Sequence, residues 1–271
     1  MIEKTVLKDN NFKFSKKFGQ NFIFDKNLLY AIINDSGITK EDEVLEIGPG
    51  AGTLTKIIAE KAKLVVSYEI DKTLEPILKE NLKDVKNSKI IFADALKENI
   101  ANIEQNFEKN YKIVANLPYY ITTPLIFKFL EQTKKVESLT IMVQKEVAQR
   151  LTSKPGDKNY GAITVMLNYY GTVKILRNVP RHMFTPAPNV DSAMIQIVTK
   201  QQDENFDEQK FKDIVKYAFL NRRKTLVNNL LPLGFSREQI STALQKLGKS
   251  TDARGEILST EEFIKLSKLL V

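Results

Sequence analysis

The stretch that most constrains the fold is Glu43-Val44-Leu45-Glu46-Ile47 running into Gly48-Pro49-Gly50-Ala51-Gly52. A short strand breaks into three glycines and a proline within five positions, and Thr53 then stands where it can cap a helix over Leu54 to Lys61. Glycines let a backbone turn sharply and approach a ligand closely, as in the βα turn of a nucleotide-binding fold. The rhythm continues without the glycines. Leu64 to Tyr68 reads as a second strand ending at Glu69, Ile90 to Ala93 as a third ending at Asp94, and Lys112 to Ala115 as a fourth ending at Asn116. This predicts an α/β chain with a doubly wound, Rossmann-like sheet, whose strand ends meet along the edge where such sheets place their ligands.

Glu69 lies 21 positions after Gly48, near the roughly 20-residue offset of a carboxylate that binds a ribose diol. A dinucleotide site would use Gly-x-Gly-x-x-Gly with a pyrophosphate on the helix N-terminus. Here Pro49 separates the first two glycines, the third comes one position early, and Glu46 would repel a pyrophosphate. An acidic lining of Glu46, Glu69 and Asp94 suits a cationic cofactor instead. S-adenosylmethionine, an adenosine carrying a sulfonium and an ammonium, has that chemistry; a nicotinamide dehydrogenase on a similar fold is the disfavoured alternative. Any one of the three acids alone also reads as a solvated loop end.

Asn116-Leu117-Pro118-Tyr119 brings a side-chain amide, a rigid turn and an aromatic ring to a strand end, since Pro118 forbids continuation of the strand. An amide oxygen accepts from an exocyclic amine, and a tyrosine ring offers a flat face to a base. The motif therefore suits methylation of a nucleobase amino group, on adenine or cytosine. The competing readings are a turn-forming Asn and an ordinary half-buried aromatic.

The chain has no Cys and a single histidine, His182, which excludes a disulfide framework and argues against a metal site or a His-based triad. We expect no metal, and we read His182 as an exposed polar side chain. With 271 residues, 42% of them hydrophobic, the chain can build one large domain and a smaller companion. Forty-one Lys and Arg against 33 Asp and Glu give a net charge of +8, which favours a polyanionic partner. No N-terminal apolar run resembles a signal peptide, and no stretch approaches the roughly 20 apolar residues of a membrane span. A cytoplasmic protein without membrane contact is expected. From Met1 to Phe24, lysines 4, 8, 13, 16 and 17 alternate with phenylalanines 12, 14, 18, 22 and 24. This basic, aromatic arm reads either as a solvated tail or as a segment that lies across a cofactor or a nucleic-acid backbone, the second role falling on Gln20-Asn21-Phe22.

Asp25 to Gly37 reads as a helix stopped by its glycine, Leu139 to Val143 as a fifth strand, and Gln144 to Leu151 as a helix. The loop Thr152 to Asn159 carries Lys154 and Lys158, Ala162 to Tyr170 reads as a helix, and Val173 to Val179 and Ser192 to Thr199 complete seven strands. Pro180 to Pro188 reads as a rigid extended loop. Gln201 to Gln209 lacks apolar periodicity, so a domain boundary is expected there: a catalytic domain over 1–200, and a small α-helical domain over 201–271 with helices from Phe211 to Phe219, Arg237 to Leu247 and Thr260 to Leu270. Arg222-Arg223-Lys224 beside that first helix suits phosphate contact or anchoring of the domain.

Seven motifs share one resemblance: Phe18-Gly19-Gln20-Asn21-Phe22, Glu46-Ile47-Gly48-Pro49-Gly50, Asn116-Leu117-Pro118-Tyr119, Gln144-Lys145-Glu146-Val147-Ala148, Tyr160-Gly161, the Phe184 to Ser192 segment with Pro186, Pro188, Val190 and Asp191, and Arg222-Arg223-Lys224-Thr225-Leu226. Together they resemble the ribosomal RNA adenine N6-methyltransferase family over nearly the whole chain, most closely its bacterial small-subunit (16S) dimethyladenosine transferases. The resemblance implies a seven-stranded S-adenosylmethionine-dependent methyltransferase sheet. It implies cofactor contacts at Asn21, Ile23, Gly48, Glu69, Asp94 and Asn116, with Glu69 on the ribose hydroxyls and Asp94 on the adenine amino group. On the target side it implies Asn116, with the Leu117 or Pro118 carbonyl, on the amino group to be methylated, Tyr119 stacked on the target adenine, and Phe184 on its opposite face. The implied reaction is dimethylation of two adjacent adenosines in the 3′-terminal hairpin loop of 16S rRNA, in the immature small ribosomal subunit, by a monomer. Two alternatives are a large-subunit rRNA methylase conferring macrolide resistance and a ribosome-assembly factor without turnover.

Overall fold

The computed structural model describes residues 21–270. The expected N-terminal arm, apart from Asn21 to Phe24, lies outside the described residues. The chain divides into two compact units, one of residues 1–148 with 174–199 and one of residues 149–173 with 200–271.

The first unit holds the nine strands' main sheet. Its elements begin with β1 (Phe22–Ile23), α1 (Lys26–Ser36), β2 (Glu43–Ile47), α2 (Thr53–Lys61), β3 (Leu64–Glu69), α3 (Glu75–Asn81), β4 (Ser88–Phe92), α4 (Ile100–Glu104) and β5 (Tyr111–Ala115). They continue with α5 (Tyr119–Gln132), β6 (Val136–Gln144), α6 (Lys145–Leu151), α7 (Ala162–Tyr170), β7 (Gly171–Val179), β8 (Phe184–Thr185) and β9 (Ser192–Thr199), of which α7, the end of α6 (149–151) and the start of β7 (171–173) belong to the second unit. The seven-stranded sheet has the order β4-β3-β2-β5-β6-β9-β7. Pairs β4/β3, β3/β2, β2/β5 and β5/β6 are parallel, and β6/β9 is antiparallel. All five residues of β2 are buried, as a strand covered on both faces requires. The chain steps outward through β3 and β4 and then crosses back to lay β5 on the other side of β2. That reversal opens a crevice beyond the carboxyl ends of β2 and β5.

Local chemistry sets the element ends. Asp25 caps α1 by accepting from Leu28 N at 2.9 Å, and Gly37 ends the helix at φ 70°. The cap of α2 differs from expectation: Gly52, at φ 78°, takes the N-cap position with no side-chain cap, and Thr53 is the first helical residue. Glycines at alternate positions set this geometry, since Gly48 and Gly50 also have positive φ. A further difference is α5, a 14-residue helix starting at Tyr119 that the sequence reading does not include. Pro124 hides it from a pattern search, yet Thr122, Leu125, Ile126, Phe129 and Leu130 are buried at helical spacing. The Pro180 to Pro188 segment is not a free loop either, because Phe184 and Thr185 pair with Ile23 and Phe22 as a two-stranded antiparallel ribbon.

The second unit is helical: α7 is joined by α8 (Glu208–Ala218), α9 (Leu226–Leu230), α10 (Arg237–Lys246) and α11 (Thr260–Leu269). Its core gathers Phe211, Ile214, Leu226, Leu230, Ile240, Leu244, Phe263 and Leu266, all fully buried. Capping boxes at Ser236/Gln239 and Ser259/Glu262 start α10 and α11. Residues 149–173 group with these helices, not with the sheet as a boundary at 200 would have it. The physical reason lies in α7, which packs on α8 and α11, and in Tyr160, whose hydroxyl donates to the Leu258 carbonyl at 2.8 Å.

Candidate active site

A cavity of about 290 Å³ lies in the crevice, walled by residues of the first unit alone. Its lining includes every residue to which the family resemblance gives a cofactor or target contact: Asn21, Ile23, Gly48, Glu69, Asp94, Asn116, Leu117, Pro118, Tyr119 and Phe184. Six chain segments far apart in sequence supply them. The strand-end rule accounts for Gly48, Glu69, Asp94 and Asn116, while Ile23 is held in the β1/β8 ribbon, which Asn21 immediately precedes.

The glycine turn forms one wall. A Cβ on Gly50 would stand 2.4 Å from Phe22 Cε1, so the ring of Phe22 rests on bare backbone there. Gly50 N donates to Glu69 Oε2 at 3.1 Å, and Asp71 N donates to Oε1 at 2.8 Å. Glu69 is buried, and desolvation pushes its carboxyl above the ordinary range against the pull of those N–H groups. Each carboxylate oxygen retains acceptor capacity for a ligand hydroxyl. Asp94 Oδ1 accepts from Leu96 N at 3.0 Å, which shapes the turn after β4.

Glu46 departs from expectation, because it is absent from the cavity wall. Its side chain points under α2, where Oε2 accepts from Thr55 Oγ1 at 2.6 Å and from Ser67 Oγ at 2.8 Å, and Oε1 is buried without a partner. Burial, with the nearby charge of Glu69, pushes its pKa up to about 7. The acidic lining thus consists of Glu69 and Asp94.

Asn116 Nδ2 donates to the Asn21 carbonyl at 3.3 Å, which fixes which way the amide faces and leaves Oδ1 as the acceptor. The two backbone acceptors beside it are not equivalent. The Pro118 carbonyl already takes Ile121 N at 3.2 Å and Thr122 Oγ1 at 3.3 Å, whereas the Leu117 carbonyl has no partner among the described residues. Tyr119 is half-buried at the first position of α5, its hydroxyl 2.7 Å from Ser192 Oγ, and burial raises its pKa. Phe184 is 4% exposed.

Sequence reasoning gave no role to Ser192, Leu96 or Tyr120, and gave Phe22 one only as part of an arm across a cofactor or nucleic-acid backbone. Ser192 and Phe22 sit inside quoted motifs, but only the tertiary contacts reveal an anchor for Tyr119 and a wedge under Gly50. Tyr120 lines the cavity and is 68% exposed. His182 is exposed. In the second unit, Arg222 donates to the Lys158 carbonyl at 3.2 Å and pairs with Glu256 at 3.5 Å, so of the three adjacent cations this one is engaged within the fold. Among the described residues no cluster of three or more His, Cys, Asp or Glu side chains is placed to hold a metal, and no helix is long and apolar enough to cross a membrane.

A mixed seven-stranded sheet with this cleft at its reversal point places the chain among the S-adenosylmethionine-dependent methyltransferases. Within that class, residues 11–270 match the ribosomal RNA adenine dimethylase model, and the chain belongs to that family. Curated relatives named ribosomal RNA small subunit methyltransferase A include one from Caldanaerobacter subterraneus subsp. tengcongensis, 47% identical over 95% of this chain and 97% of its own, and one from Clostridioides difficile, 43% identical over 98% and 94%. Among solved structures, a dimethyladenosine transferase from Plasmodium falciparum superposes with a TM-score of 0.78 at 26% identity, covering 90% of this chain and 95% of its own. The 23S rRNA methyltransferase ErmE superposes with a TM-score of 0.75 at 27% identity, covering 92% and 99%.

Proposed function

We propose that this enzyme dimethylates N6 of two adjacent adenosines in the 3′-terminal hairpin loop of 16S rRNA, acting as a cytoplasmic monomer on immature small ribosomal subunits. The observation that carries the reading is the Asn116 amide, held by the Asn21 carbonyl with its oxygen left to accept, in the same cavity as Glu69 and Asp94.

The residues present fit the cofactor. Glu69 offers acceptors for ribose hydroxyls and Asp94 an acceptor for the adenine amino group, both in the cavity wall beside the glycine turn. Two carboxylates, and no cation among the described residues of the wall, match a ligand with positive charge. When bound, S-adenosylmethionine supplies an electrophilic methyl group. The chain's own work is on the nucleophile. Adenine N6 is weak because its lone pair is delocalised into the ring, and acceptors on its two hydrogens draw it toward a pyramidal geometry that exposes that pair. Asn116 Oδ1 is one acceptor and the Leu117 carbonyl is the other, the Pro118 carbonyl being engaged by its own helix. Tyr119, pinned through Ser192, holds a base face worth about 1–3 kcal/mol of stacking, with Phe184 closing the other side. Rate then comes from positioning, and no side-chain base is required, since the amino nitrogen sheds its proton after it becomes cationic.

The deciding experiment is methyl transfer from labelled S-adenosylmethionine to small subunits lacking the modification, followed by mapping. Two neighbouring dimethyladenosines in the 3′-terminal hairpin are expected, and no label there refutes the assignment. The likeness to ErmE keeps one rival reading, a large-subunit rRNA methylase. Primer extension on both rRNAs separates the two.

A further inference from the structure

Helix α5 carries a cation to which the reading above gives no role. Lys128 lies nine residues after Tyr119, and its ammonium donates to two backbone carbonyls, Leu96 at 2.7 Å and Glu98 at 2.5 Å. Both belong to the segment after β4 that begins with Asp94. Lys63 and Lys112 of this unit pair with carboxylates, Glu43 and Asp42, whereas both hydrogen-bond partners of Lys128 are backbone carbonyls. The segment is otherwise knotted on Asp94. Its Oδ1 takes Leu96 N, and its carbonyl takes Lys97 N at 2.9 Å and Glu98 N at 3.0 Å. Those turns leave the Leu96 and Glu98 carbonyls facing α5, where the ammonium collects them. Lys128 is partly buried, desolvation lowers its pKa, and the charges of Asp94 and Glu98 act on it in the opposite sense. Asp94 and Leu96 both line the cavity; Leu96 is held from α5 by its own carbonyl, and Asp94 is bonded to the N–H groups of Leu96 and Glu98, the two residues whose carbonyls α5 holds.

We propose that Lys128 is a positioning residue for the methyl-donor site: it clamps the 94–99 segment to the helix that begins at Tyr119 and thereby sets where the Asp94 carboxylate stands. The inference rests on the reading of Asp94 as the acceptor for the cofactor's adenine amino group. A single ammonium then ties the donor wall to the helix that carries the target-side tyrosine. Lys128→Met keeps the apolar stem and removes the donors, leaving two carbonyls to water; Lys128→Arg keeps a charged fork that can span them.

The test compares the variants in two measurements that need no turnover. Hydrogen exchange of the amides of residues 95–99 in the ligand-free protein should quicken in Lys128→Met and return toward the original rate in Lys128→Arg. Calorimetry with S-adenosylhomocysteine and with S-inosylhomocysteine, which lacks the 6-amino group, reads the site itself. Lys128→Met should lose about tenfold in affinity for the adenosyl compound, the equivalent of about 1.4 kcal/mol, and much less for the inosyl compound. In kinetics its KM for S-adenosylmethionine should rise by more than kcat falls. Unchanged exchange with unchanged adenosyl affinity overturns the proposal. So does an equal loss for both compounds with a lowered melting temperature, which is the signature of a general structural tie. The underlying reading fails separately: if the unaltered protein does not distinguish the two compounds, Asp94 does not hold the amino group, and the inference falls before any variant is made.

Discussion

Replacing Gly50 by alanine tests the wall of the cavity at its tightest point. The residue sits at φ 58°, and the new Cβ would stand 2.4 Å from Phe22 Cε1 and 2.9 Å from Cδ1. The left-handed conformation costs an L-residue about 1–2 kcal/mol, and forcing a ring out of a packed position costs about 1–3 kcal/mol. Together they predict a loss of about 2–5 kcal/mol in unfolding free energy. The displacement also has a functional arm. Phe22 pairs with Thr185 in the ribbon, and its neighbour Asn21 supplies the carbonyl that orients Asn116. Moving the ring therefore slackens the Asn116 amide, and S-adenosylmethionine affinity should fall at least about tenfold. Urea unfolding measures the first effect and calorimetry the second. Adding Phe22→Leu should recover the steric part and leave about 1–2 kcal/mol for the backbone conformation. Wild-type stability and affinity in Gly50→Ala, or no recovery in the double variant, would refute the wedge.

Tyr119→Ala should lower transfer by about tenfold or more through lost stacking, while Tyr119→Phe, which loses the bond to Ser192, should lower it only a few-fold. Calorimetry should find cofactor binding nearly intact in both, and an equal loss of binding and transfer would mark the ring as structural. Glu46 titrates at about 7 in the folded protein against an ordinary 4.5, so between those values the folded state binds more protons than the unfolded one. Stability must then fall as pH rises through that window, by about 3 kcal/mol at most, and Glu46→Gln should flatten the fall in urea titrations at pH 5 and pH 8; an equally steep fall in the variant refutes the assignment. Arg223→Ala and Lys224→Ala, at exposed cations with no ion pair among the described residues, should each reduce the salt slope of rRNA binding by about 1. Arg222→Ala should instead lower stability by up to about 1 kcal/mol, and filter binding across a salt series with parallel unfolding curves separates the two patterns.

What the sequence made legible is what depends on local period and on strand ends. The glycine turn, Glu69, Asp94 and Asn116 are each the first residues after a short apolar run, and a parallel sheet delivers such residues to one edge whatever its finer geometry. Two kinds of feature escaped. Glu46 looked like part of the wall because it is adjacent to the turn, but strand alternation sends its side chain beneath α2 to Thr55 and Ser67. Helix α5 and the grouping of residues 149–173 escaped because Pro124 masks the first and only tertiary packing decides the second. The choice between the Leu117 and Pro118 carbonyls was also out of reach of sequence, since it turns on the hydrogen bonds of the first turn of α5.

The anchor of Tyr119 has a consequence for the order in which the molecule can be assembled. Ser192 lies at the start of β9, 73 residues further along the chain, and Phe184 reaches Ile23 only through the β1/β8 ribbon. A nascent chain that has emerged as far as residue 170 already possesses Gly48, Gly50, Glu69, Asp94 and Asn116, on strands β2 to β5, whose sheet partners up to β6 have all emerged. It lacks both supports of the base-holding half. The strand-end part of the donor half can therefore form during synthesis, whereas the β1/β8 ribbon that holds Ile23 and the acceptor half must wait for β8 and for β9 to slot beside β6. Translation itself thus separates the times at which the two halves of the reaction site become available.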